Sequence, residues 1–196
     1  GVVPQDIVLY DYLNAKENLS FYGRLYGLSG SKLKNRIEEL LKFTQLDENA
    51  VKRHVSTYSG GMKRRVNIAA ALLHEPQVIL LDEPTAGLDP QNKHALWEII
   101  QTLRSQGKTI ILTTHMMEEA EELCDRIAIM DQGKIIAMDT PAKLIEQEDL
   151  KFTIKFATTK PMSKDQIAKF EKHPLVVKFW EEKSWQTLQV FRKKLM

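Results

Sequence analysis

The chain has 196 residues, of which 43% are hydrophobic and 28% charged, and its formal net charge is +2. This composition is typical of a globular protein. The longest uninterrupted apolar run, residues 68–73, has six residues, far short of the roughly 20 that a membrane-spanning helix needs. A single cysteine, Cys124, excludes an intramolecular disulfide framework and fits a reducing compartment.

The charge is distributed unevenly along the chain. Residues 1–150 contain 17 basic and 22 acidic side chains, a net charge of −5, whereas residues 151–196 contain 11 basic and 4 acidic ones, a net charge of +7. Such a shift indicates a boundary near residue 150. The basic part is expected to be a solvated appendage, with affinity for anionic lipid or nucleic acid as the alternative.

The first part of the chain is predicted to be helical. Asn14 and Glu17 have the spacing of a capping box, which indicates that a helix begins there. A second helix is expected to follow Ser31, residues 47–57 to be irregular, and a third helix to begin at Gly60. Helical spacing predicts that the third helix buries the apolar residues Ile68, Ala69, Leu72 and Leu73.

Strands and helices alternate from residue 76 onward. Residues 78–81 form a continuous apolar run, as expected for a strand buried on both faces. Residues 109–112 are predicted to be a second buried strand, and residues 127–130 a third strand. Helices are predicted between them, over residues 91–106 and 116–123. This order predicts an α/β protein with a parallel sheet and right-handed crossovers.

The last part of the chain is predicted to form a small, basic α+β appendage over residues 146–196. Gly133 turns the chain into an extended segment, and Thr140-Pro141 is a good helix start. A strand is then expected to alternate its side chains, a short helix to cover 163–170, and two further strands to follow. The alternating residues are Phe152, Ile154 and Phe156, and the further strands lie near 175–181 and 185–191.

Two adjacent carboxylates, Asp82 and Glu83, follow the predicted strand over 78–81. Ligand sites of parallel sheets lie at the carboxyl ends of the strands. At such an end Asp82 can hold Mg²⁺, and Glu83 can orient or deprotonate a water that attacks a phosphate. The alternative is a strand that merely ends in acidic residues before a proline turn.

A histidine, His115, follows the next predicted strand. If the two strands share a sheet, its imidazole emerges on the same rim as Asp82 and Glu83 and can hydrogen-bond a phosphate or the attacking water. The alternative is a histidine satisfied by a neighbouring backbone group. The other four histidines lack the spacing of a metal site and are expected to be structural: His54, His74, His94 and His173.

The segment Ser59-Gly60-Gly61 precedes the third helix. Exposed amides and the helix dipole favour an anion at such a point, and two glycines let a phosphate approach the backbone closely. Three basic residues follow within about one turn of the helix: Lys63, Arg64 and Arg65. The alternative is a simple serine N-cap.

Together and in this order, these segments resemble the ATP-binding subunit of an ABC transporter. Residues 58–62 resemble the signature motif, with Tyr58 and Met62 where Leu and Gln are commoner. The resemblance covers about residues 1–145, with a helical subdomain over about 10–74, and is greatest to ATPases of the bacterial ABC-2 export type. The remaining matches are residues 80–85 to Walker B, 86–89 to the D-loop, His115 to the switch histidine and Val3-Pro4-Gln5 to the Q-loop.

This resemblance implies a P-loop NTPase fold with ATP and Mg²⁺ as cofactors. Asp82 and Gln5 would serve Mg²⁺, Glu83 would be the catalytic base, and His115 would act beside it. Asp89 would tie two half-sites together. The signature residues would bind the γ-phosphate of ATP held by the opposite subunit: Ser59, Gly60, Gly61 and Met62.

The resemblance also implies partners and a location. A second ATPase subunit would complete a homodimer or heterodimer. A transmembrane permease would contact the Gln5 loop and residues 10–57, which places the protein at the cytoplasmic face of the cell membrane. No specific nucleic acid is expected. Four aromatic residues are docking candidates, with core packing as the alternative: Tyr10, Tyr12, Phe21 and Tyr22.

The phosphate loop of the family, G-x-x-x-x-G-K-[ST], does not occur in these residues. Gly107-Lys108-Thr109 offers the terminal triplet, but Thr102 stands where the first glycine is required, and the triplet precedes a strand instead of following one. The chain also starts at Gly1, inside an apparent strand end. We therefore expect a piece of a longer protein, a partial P-loop NTPase fold that by itself is inactive and self-associates through exposed sheet edge.

Two other interpretations remain open at this stage. One is a non-catalytic ABC partner that donates its signature helix in trans to an intact subunit. The other is a soluble ABC ATPase that acts on ribosomes or DNA.

Overall fold

The computed structural model describes residues 1–147, 151–156, 163–171, 176–182 and 185–191. The chain divides into two compact units, Gly1–Leu123 and Cys124–Met196. The family resemblance places the end of the ATPase domain near residue 145. This boundary differs from the division after Leu123, and it stays a prediction. Within the described residues, no helix is both long and apolar enough to cross a membrane.

The first unit contains three parallel strands and six α-helices in its described residues, together with one turn of 3₁₀ helix over Val55–Thr57. In chain order its elements are β1 (Val2–Val3), α1 (Ala15–Leu25), α2 (Gly30–Phe43), α3 (Glu48–Val51), α4 (Gly60–Leu72), β2 (Val78–Asp82), α5 (Pro90–Ser105), β3 (Thr109–Thr113) and α6 (Met117–Leu123).

The second unit is built from strands and short helices. Its described elements are β4 (Ile127–Asp131), β5 (Lys134–Asp139), α7 (Pro141–Gln147), β6 (Lys151–Phe156), α8 (Lys164–Glu171), β7 (Val176–Glu182) and β8 (Trp185–Phe191). Strand β8 pairs antiparallel with both β6 and β7. The predicted strands and short helix of the appendage are thus confirmed, while residues 183–184 and the side chains of β6 lie outside the described residues.

The helix starts follow from local capping signals. The Asn14 side chain accepts a hydrogen bond from the Glu17 amide at 3.0 Å, and the Glu17 carboxylate accepts one from the Asn14 amide at 2.8 Å, so the predicted capping box of α1 is confirmed. Helix α2 begins at Gly30, slightly before its predicted start. Helix α4 begins at Gly60, as predicted, and Ser59 is its N-cap, which was the alternative to an anion site at this point.

The prediction that residues 47–57 are irregular is wrong. They contain α3 and the 3₁₀ turn. The Asp47 carboxylate caps α3, since it accepts hydrogen bonds from the amides of Asn49 at 2.9 Å and Ala50 at 3.0 Å. This capping aspartate was the signal in the sequence.

The parallel sheet has the order β1-β2-β3, so β2 lies in the centre. Val3 pairs with Leu81, and Asp82 pairs with Thr113. The carboxyl ends of the three strands therefore lie at one edge of the sheet. This edge carries the residues described in the next subsection.

In the part of the chain that the structure describes, the sheet has one buried and one exposed face, which corrects the prediction of strands buried on both faces. Ile79 and Leu81 are buried, whereas Val78 and Leu80 are 47% and 43% exposed, and Ile111 of β3 is also exposed. Side chains alternate between faces along a strand, so this pattern shows packing on one side. The exposed apolar face supports the expected self-association, which stays a prediction.

Strand β4 is not a further parallel strand, contrary to the prediction. It pairs antiparallel with β5 in a two-stranded sheet. The turn between them has Gln132 and Gly133 at φ of 46° and 75°. Two consecutive residues with positive φ form the tight hairpin turn that joins antiparallel strands, so the local turn decides the pairing.

The core of the first unit lies around α4. Its predicted buried residues Ile68, Ala69, Leu72 and Leu73 are all buried. Helix α4 packs against α1, α2, α5 and β1. The close contact with α5 involves Gly61, because a Cβ added there would lie 2.5 Å from Cγ of Asn92 and 2.9 Å from its Cβ.

Gly61→Ala should destabilise the chain by about 1–3 kcal/mol, since the new methyl group overlaps a helix residue that cannot move freely. Gly60→Ala is the matched control: its Cβ would meet only Leu88 Cδ2, at 3.6 Å. Its effect should stay within about 1 kcal/mol, because alanine favours the helix. Urea unfolding of both variants measures the difference, and equal stabilities would contradict the packing described.

Tyr58→Phe should lower the free energy of unfolding by about 1–2 kcal/mol. The buried Tyr58 hydroxyl donates a hydrogen bond to the Ala50 carbonyl at 2.7 Å, which ties the end of α3 to the start of the signature segment. Tyr12→Phe serves as control, because Tyr12 is 85% exposed. Urea unfolding that gave both variants the same stability would show that this tie contributes nothing.

Candidate functional site

Polar side chains from three separate segments meet at the carboxyl edge of the parallel sheet. Gln5 follows β1, Asp82 and Glu83 end β2, and His115 follows β3. The prediction that His115 emerges on the same rim as the two carboxylates is confirmed by the pairing of β2 with β3 and by direct contact.

The Glu83 carboxylate is the centre of this group. Its Oε2 accepts a hydrogen bond from Nε2 of Gln5 at 3.1 Å, and its Oε1 lies 3.2 Å from Nδ1 of His115. The side chains of Glu83 and His115 are 30% and 70% exposed. The carboxylate is therefore oriented by two neighbours and remains accessible from outside.

The backbone at Glu83 is strained, with a φ of +41°. A glutamate rarely adopts this left-handed conformation, which persists where surrounding contacts impose it. Here the Glu83 amide donates to both the carbonyl oxygen and Oγ1 of Thr113, each at 3.1 Å. Strain of this kind is concentrated at functional sites.

Thr113 joins the two adjacent carboxylate residues, a role that sequence reasoning missed. Its hydroxyl donates a hydrogen bond to Oδ1 of Asp82 and accepts one from the Glu83 amide. A threonine at a strand end gives no signal for this role in the sequence. It depends on the register that places Thr113 beside Asp82.

The donor set at this edge fits a magnesium ion. Asp82 and Gln5 supply carboxylate and amide oxygens, the donor type that Mg²⁺ prefers, and this ion usually takes one or two protein ligands together with waters and phosphate oxygens. Among the described residues, no group of three or more histidine, cysteine, aspartate or glutamate side chains is placed to hold a metal.

The signature residues lie at the N-terminus of α4. The Ser59 hydroxyl accepts a hydrogen bond from the Met62 amide at 3.3 Å, and both Ser59 and Gly60 are exposed, whereas Gly61 is buried. None of the contacts described for this chain joins them to Asp82, Glu83 or His115. No described hydrogen bond or ion pair thus connects the signature segment with the Glu83 group.

The three basic residues after the signature glycines do not face the helix N-terminus. Each is engaged elsewhere, with Lys63 on Asp11 at 2.8 Å and Arg65 on the Gln45 carbonyl at 3.2 Å. Arg64 donates to the carbonyls of Pro4 and Gln5. Acceptors in other segments of the first unit therefore hold all three side chains.

Asp89 is the N-cap of α5. Its carboxylate accepts hydrogen bonds from Nδ2 of Asn92 at 2.6 Å and from the Asn92 amide at 3.0 Å. These bonds lower the pKa of Asp89. The side chain is therefore charged at neutral pH and fixed at the turn that follows the Glu83 segment.

A buried carboxylate under this turn is a second residue that sequence reasoning missed. Glu119 of α6 is 1% exposed, and its Oε1 accepts hydrogen bonds from the Thr85 hydroxyl at 2.8 Å and from Nε1 of Trp97 at 3.1 Å. These contacts join the turn after Glu83 to α5 and α6. In the sequence Glu119 is one of several acids in an acidic helix, so nothing distinguishes it.

The aromatic docking candidates form a partly exposed group. Tyr10 and Phe21 meet edge to face at 4.8 Å, Phe21 and Tyr22 do so at 5.4 Å, and the Tyr22 hydroxyl donates to the Val8 carbonyl. Tyr10, Tyr12 and Phe21 are exposed. The group can thus be reached by a partner.

The remaining histidines have structural surroundings where the structure describes them. His74 stacks on Tyr26 at 4.1 Å, and His94 meets Trp97 edge to face at 5.1 Å. His54 forms an isolated bridge with Asn14. His173 lies outside the described residues.

Comparison with known proteins gives consistent matches. The family model of the ABC transporter matches residues 1–86. The chain is 50% identical over 144 residues to the linearmycin resistance ATP-binding protein LnrL of Bacillus subtilis (strain 168), an alignment that covers 74% of this chain and 46% of that protein. It is 48% identical over 147 residues to the Nod factor export ATP-binding protein I of Rhizobium sp. (strain N33), covering 75% and 48%. The chain thus spans about half the length of these relatives.

Solved structures show the same fold. A dimeric ATP-binding cassette, MJ0796, bound to ADP and Pi matches with a TM-score of 0.64 and 30% identity, over 72% of this chain and 62% of that one. The cbiO1 protein of Clostridium perfringens, described as part of the ABC transporter complex cbiONQ, matches with a TM-score of 0.67 and 31% identity, over 75% and 59%. The site geometry, the relatives and these folds agree, and the chain belongs to the ABC transporter family as part of an ATP-binding domain.

Proposed function

We propose that these residues are part of the ATP-hydrolysing subunit of an ABC exporter, with the ATPase domain over residues 1–145. The observation that carries the proposal is the Glu83 carboxylate, oriented by Gln5 and His115 beside Asp82 at the carboxyl edge of a parallel sheet. This is where α/β proteins bind phosphate-bearing ligands. The identity to relatives named for Nod factor export and linearmycin resistance supports the exporter class.

In this proposal Glu83 is the general base. Its carboxylate accepts the proton of the water that attacks the γ-phosphate, and the contacts with Gln5 and His115 hold it in the orientation that this transfer needs. The exposed ring of His115 can also hydrogen-bond the terminal phosphate. Asp82 and Gln5 would hold Mg²⁺, which neutralises charge on the β- and γ-phosphates when bound.

The exposure of Ser59 and Gly60 at the start of α4 supports action in trans. Ser59, Gly60, Gly61 and Met62 begin α4 and, among the contacts described, do not touch the Glu83 group. Ser59 and Gly60 are exposed, and the four residues together would bind the γ-phosphate of ATP held by a second ATPase subunit. Asp89, fixed and charged at the start of α5, would join the two half-sites.

A transmembrane permease is the second partner that we propose. It would contact the Gln5 loop and residues 10–57, where Tyr10, Tyr12 and Phe21 are exposed. Aromatic side chains are typical of the buried centre of protein interfaces. The protein would then lie at the cytoplasmic face of the membrane.

The 196-residue chain by itself should bind Mg·ATP no more tightly than a Kd of about 1 mM, equivalent to about −4 kcal/mol. The reason is that it contains no phosphate loop, which supplies most contacts to the β- and γ-phosphates. Calorimetric titration with Mg·ATP measures this affinity. Micromolar binding would show that these residues hold nucleotide in some other way.

In the complete gene product, Glu83→Gln should reduce ATP turnover by about 100-fold or more, the contribution of a general base, while ATP binding is retained. Glu121→Gln, an exposed acid of α6, is the matched control and should keep normal turnover. Steady-state ATPase assays measure both variants. A Glu83→Gln protein with undiminished turnover would refute the proposed role, and a wild type that binds ATP without turnover would favour a non-catalytic partner.

A further inference from the structure

Arg64 is a buried cation of the first unit that the proposed function does not use. It lies on α4, five residues after Ser59, and is 4% exposed. Its Nη1 donates a hydrogen bond to the Pro4 carbonyl and its Nη2 donates one to the Gln5 carbonyl, each at 2.7 Å. A charge is retained in such a place only when it is well hydrogen-bonded.

The electrostatic surroundings keep the guanidinium charged. Burial lowers the pKa of Arg64, and the nearby carboxylates of Asp6 and Asp82 oppose that shift. The guanidinium therefore acts as a charged donor, and hydrogen bonds from charged donors are about twice as strong as neutral ones.

The two carbonyls that Arg64 holds lie on either side of the Gln5 α-carbon. Fixing both of them sets the direction in which the Gln5 side chain leaves the backbone. Gln5 itself is exposed, so packing does little to orient it. Its Nε2 nevertheless lies 3.1 Å from Oε2 of Glu83. The backbone that Arg64 binds is thus the one from which the Gln5 side chain reaches Glu83.

We propose that Arg64 is a positioning residue for the ATPase site: by binding the carbonyls of Pro4 and Gln5, it places the Gln5 side chain on Glu83 and couples α4 to that carboxylate. The inference rests on the proposed function of Glu83. Helix α4, which begins with the signature residues, would then be connected to Glu83 of the same chain through Arg64 and Gln5.

Arginine is required for this role because its planar guanidinium presents two parallel donors with a fixed spacing. A lysine keeps the charge but is a single point donor on a flexible stem, so it cannot hold two carbonyls in one orientation. Arg64→Lys therefore keeps the positive charge but removes the paired hydrogen bonds to the two carbonyls.

The test is a double-mutant cycle in the complete gene product between Arg64→Lys and Gln5→Ala, read as kcat and KM of ATP hydrolysis. Arg64→Lys alone should lower kcat by about 10- to 100-fold, the cost of misplacing a group in the site, with a much smaller change in KM. In the Gln5→Ala background the same substitution should lower kcat less than about twofold, because contacting residues are not additive.

Arg36→Lys is the matched control. Arg36 also donates to a backbone carbonyl, that of Leu72, at 2.8 Å, and it pairs with Glu39 on α2. It has no described contact with Gln5, so Arg36→Lys should change kcat by the same factor with and without Gln5→Ala. If Arg64 had a merely structural role, Arg64→Lys would likewise change kcat by the same factor in both backgrounds.

A crystal structure of the Arg64→Lys protein adds a readout that does not need turnover. Nε2 of Gln5 should then lie outside hydrogen-bond distance of Oε2 of Glu83, while the contact of Arg36 with the Leu72 carbonyl is unchanged. Should Arg64→Lys fail to fold, Arg64→Gln takes its place in both experiments, since its amide can still bind one of the two carbonyls.

The outcomes are distinct for the two proposals. If wild type hydrolyses ATP and Glu83→Gln abolishes turnover, but Arg64→Lys lowers kcat equally with and without Gln5, the role of Arg64 is overturned and the proposed function stands. A Gln5 side chain that stays within hydrogen-bond distance of Glu83 in the Arg64→Lys structure also overturns it. If wild type hydrolyses no ATP, or Glu83→Gln leaves turnover intact, the proposed function fails and the role of Arg64 fails with it.

Discussion

The parallel register between β2 and β3 is the constraint on which the site depends. Because Asp82 pairs with Thr113, the threonine hydroxyl reaches the Asp82 carboxylate and the Glu83 amide together. A slip of one residue would turn Thr113 to the other face of the sheet. The strained backbone of Glu83 would then lose the contacts that impose it. Two carboxylates that are merely adjacent in sequence become, through this register, one fixed group.

Helix α4 connects this group to the rest of the unit. Its first turn packs so closely on α5 that only glycine fits at position 61. Its second turn carries Arg64, whose guanidinium donates hydrogen bonds to backbone carbonyls of the segment after β1. The helix therefore has little freedom to shift relative to either neighbour. On the proposal that Arg64 positions Gln5, a shift of α4 would move Gln5 and, through it, the Glu83 carboxylate.

The wrong predictions for β2 and β4 share one cause. The runs over 78–81 and 127–130 are equally apolar, yet β2 lies in a parallel sheet with one exposed face and β4 lies in an antiparallel hairpin. An apolar run reports that a segment favours the strand conformation, but it does not report which strand lies beside it or what covers each face. For β4 the positive φ of Gln132 and Gly133 decides the partner.

What the sequence determined by itself is local: the capping box at Asn14, the glycines that begin α4, and the carboxylates Asp82 and Glu83 at a strand end. These signals operate within one element, so a single chain displays them. Only the tertiary structure decided the contacts that give the carboxylates a defined geometry. Gln5 and Glu83 are 78 residues apart, Arg64 and Gln5 59, and His115 and Glu83 32. Residues so distant along the chain come into contact only when packing and strand register bring their elements together. The identity of each side chain by itself does not indicate which of these contacts it makes.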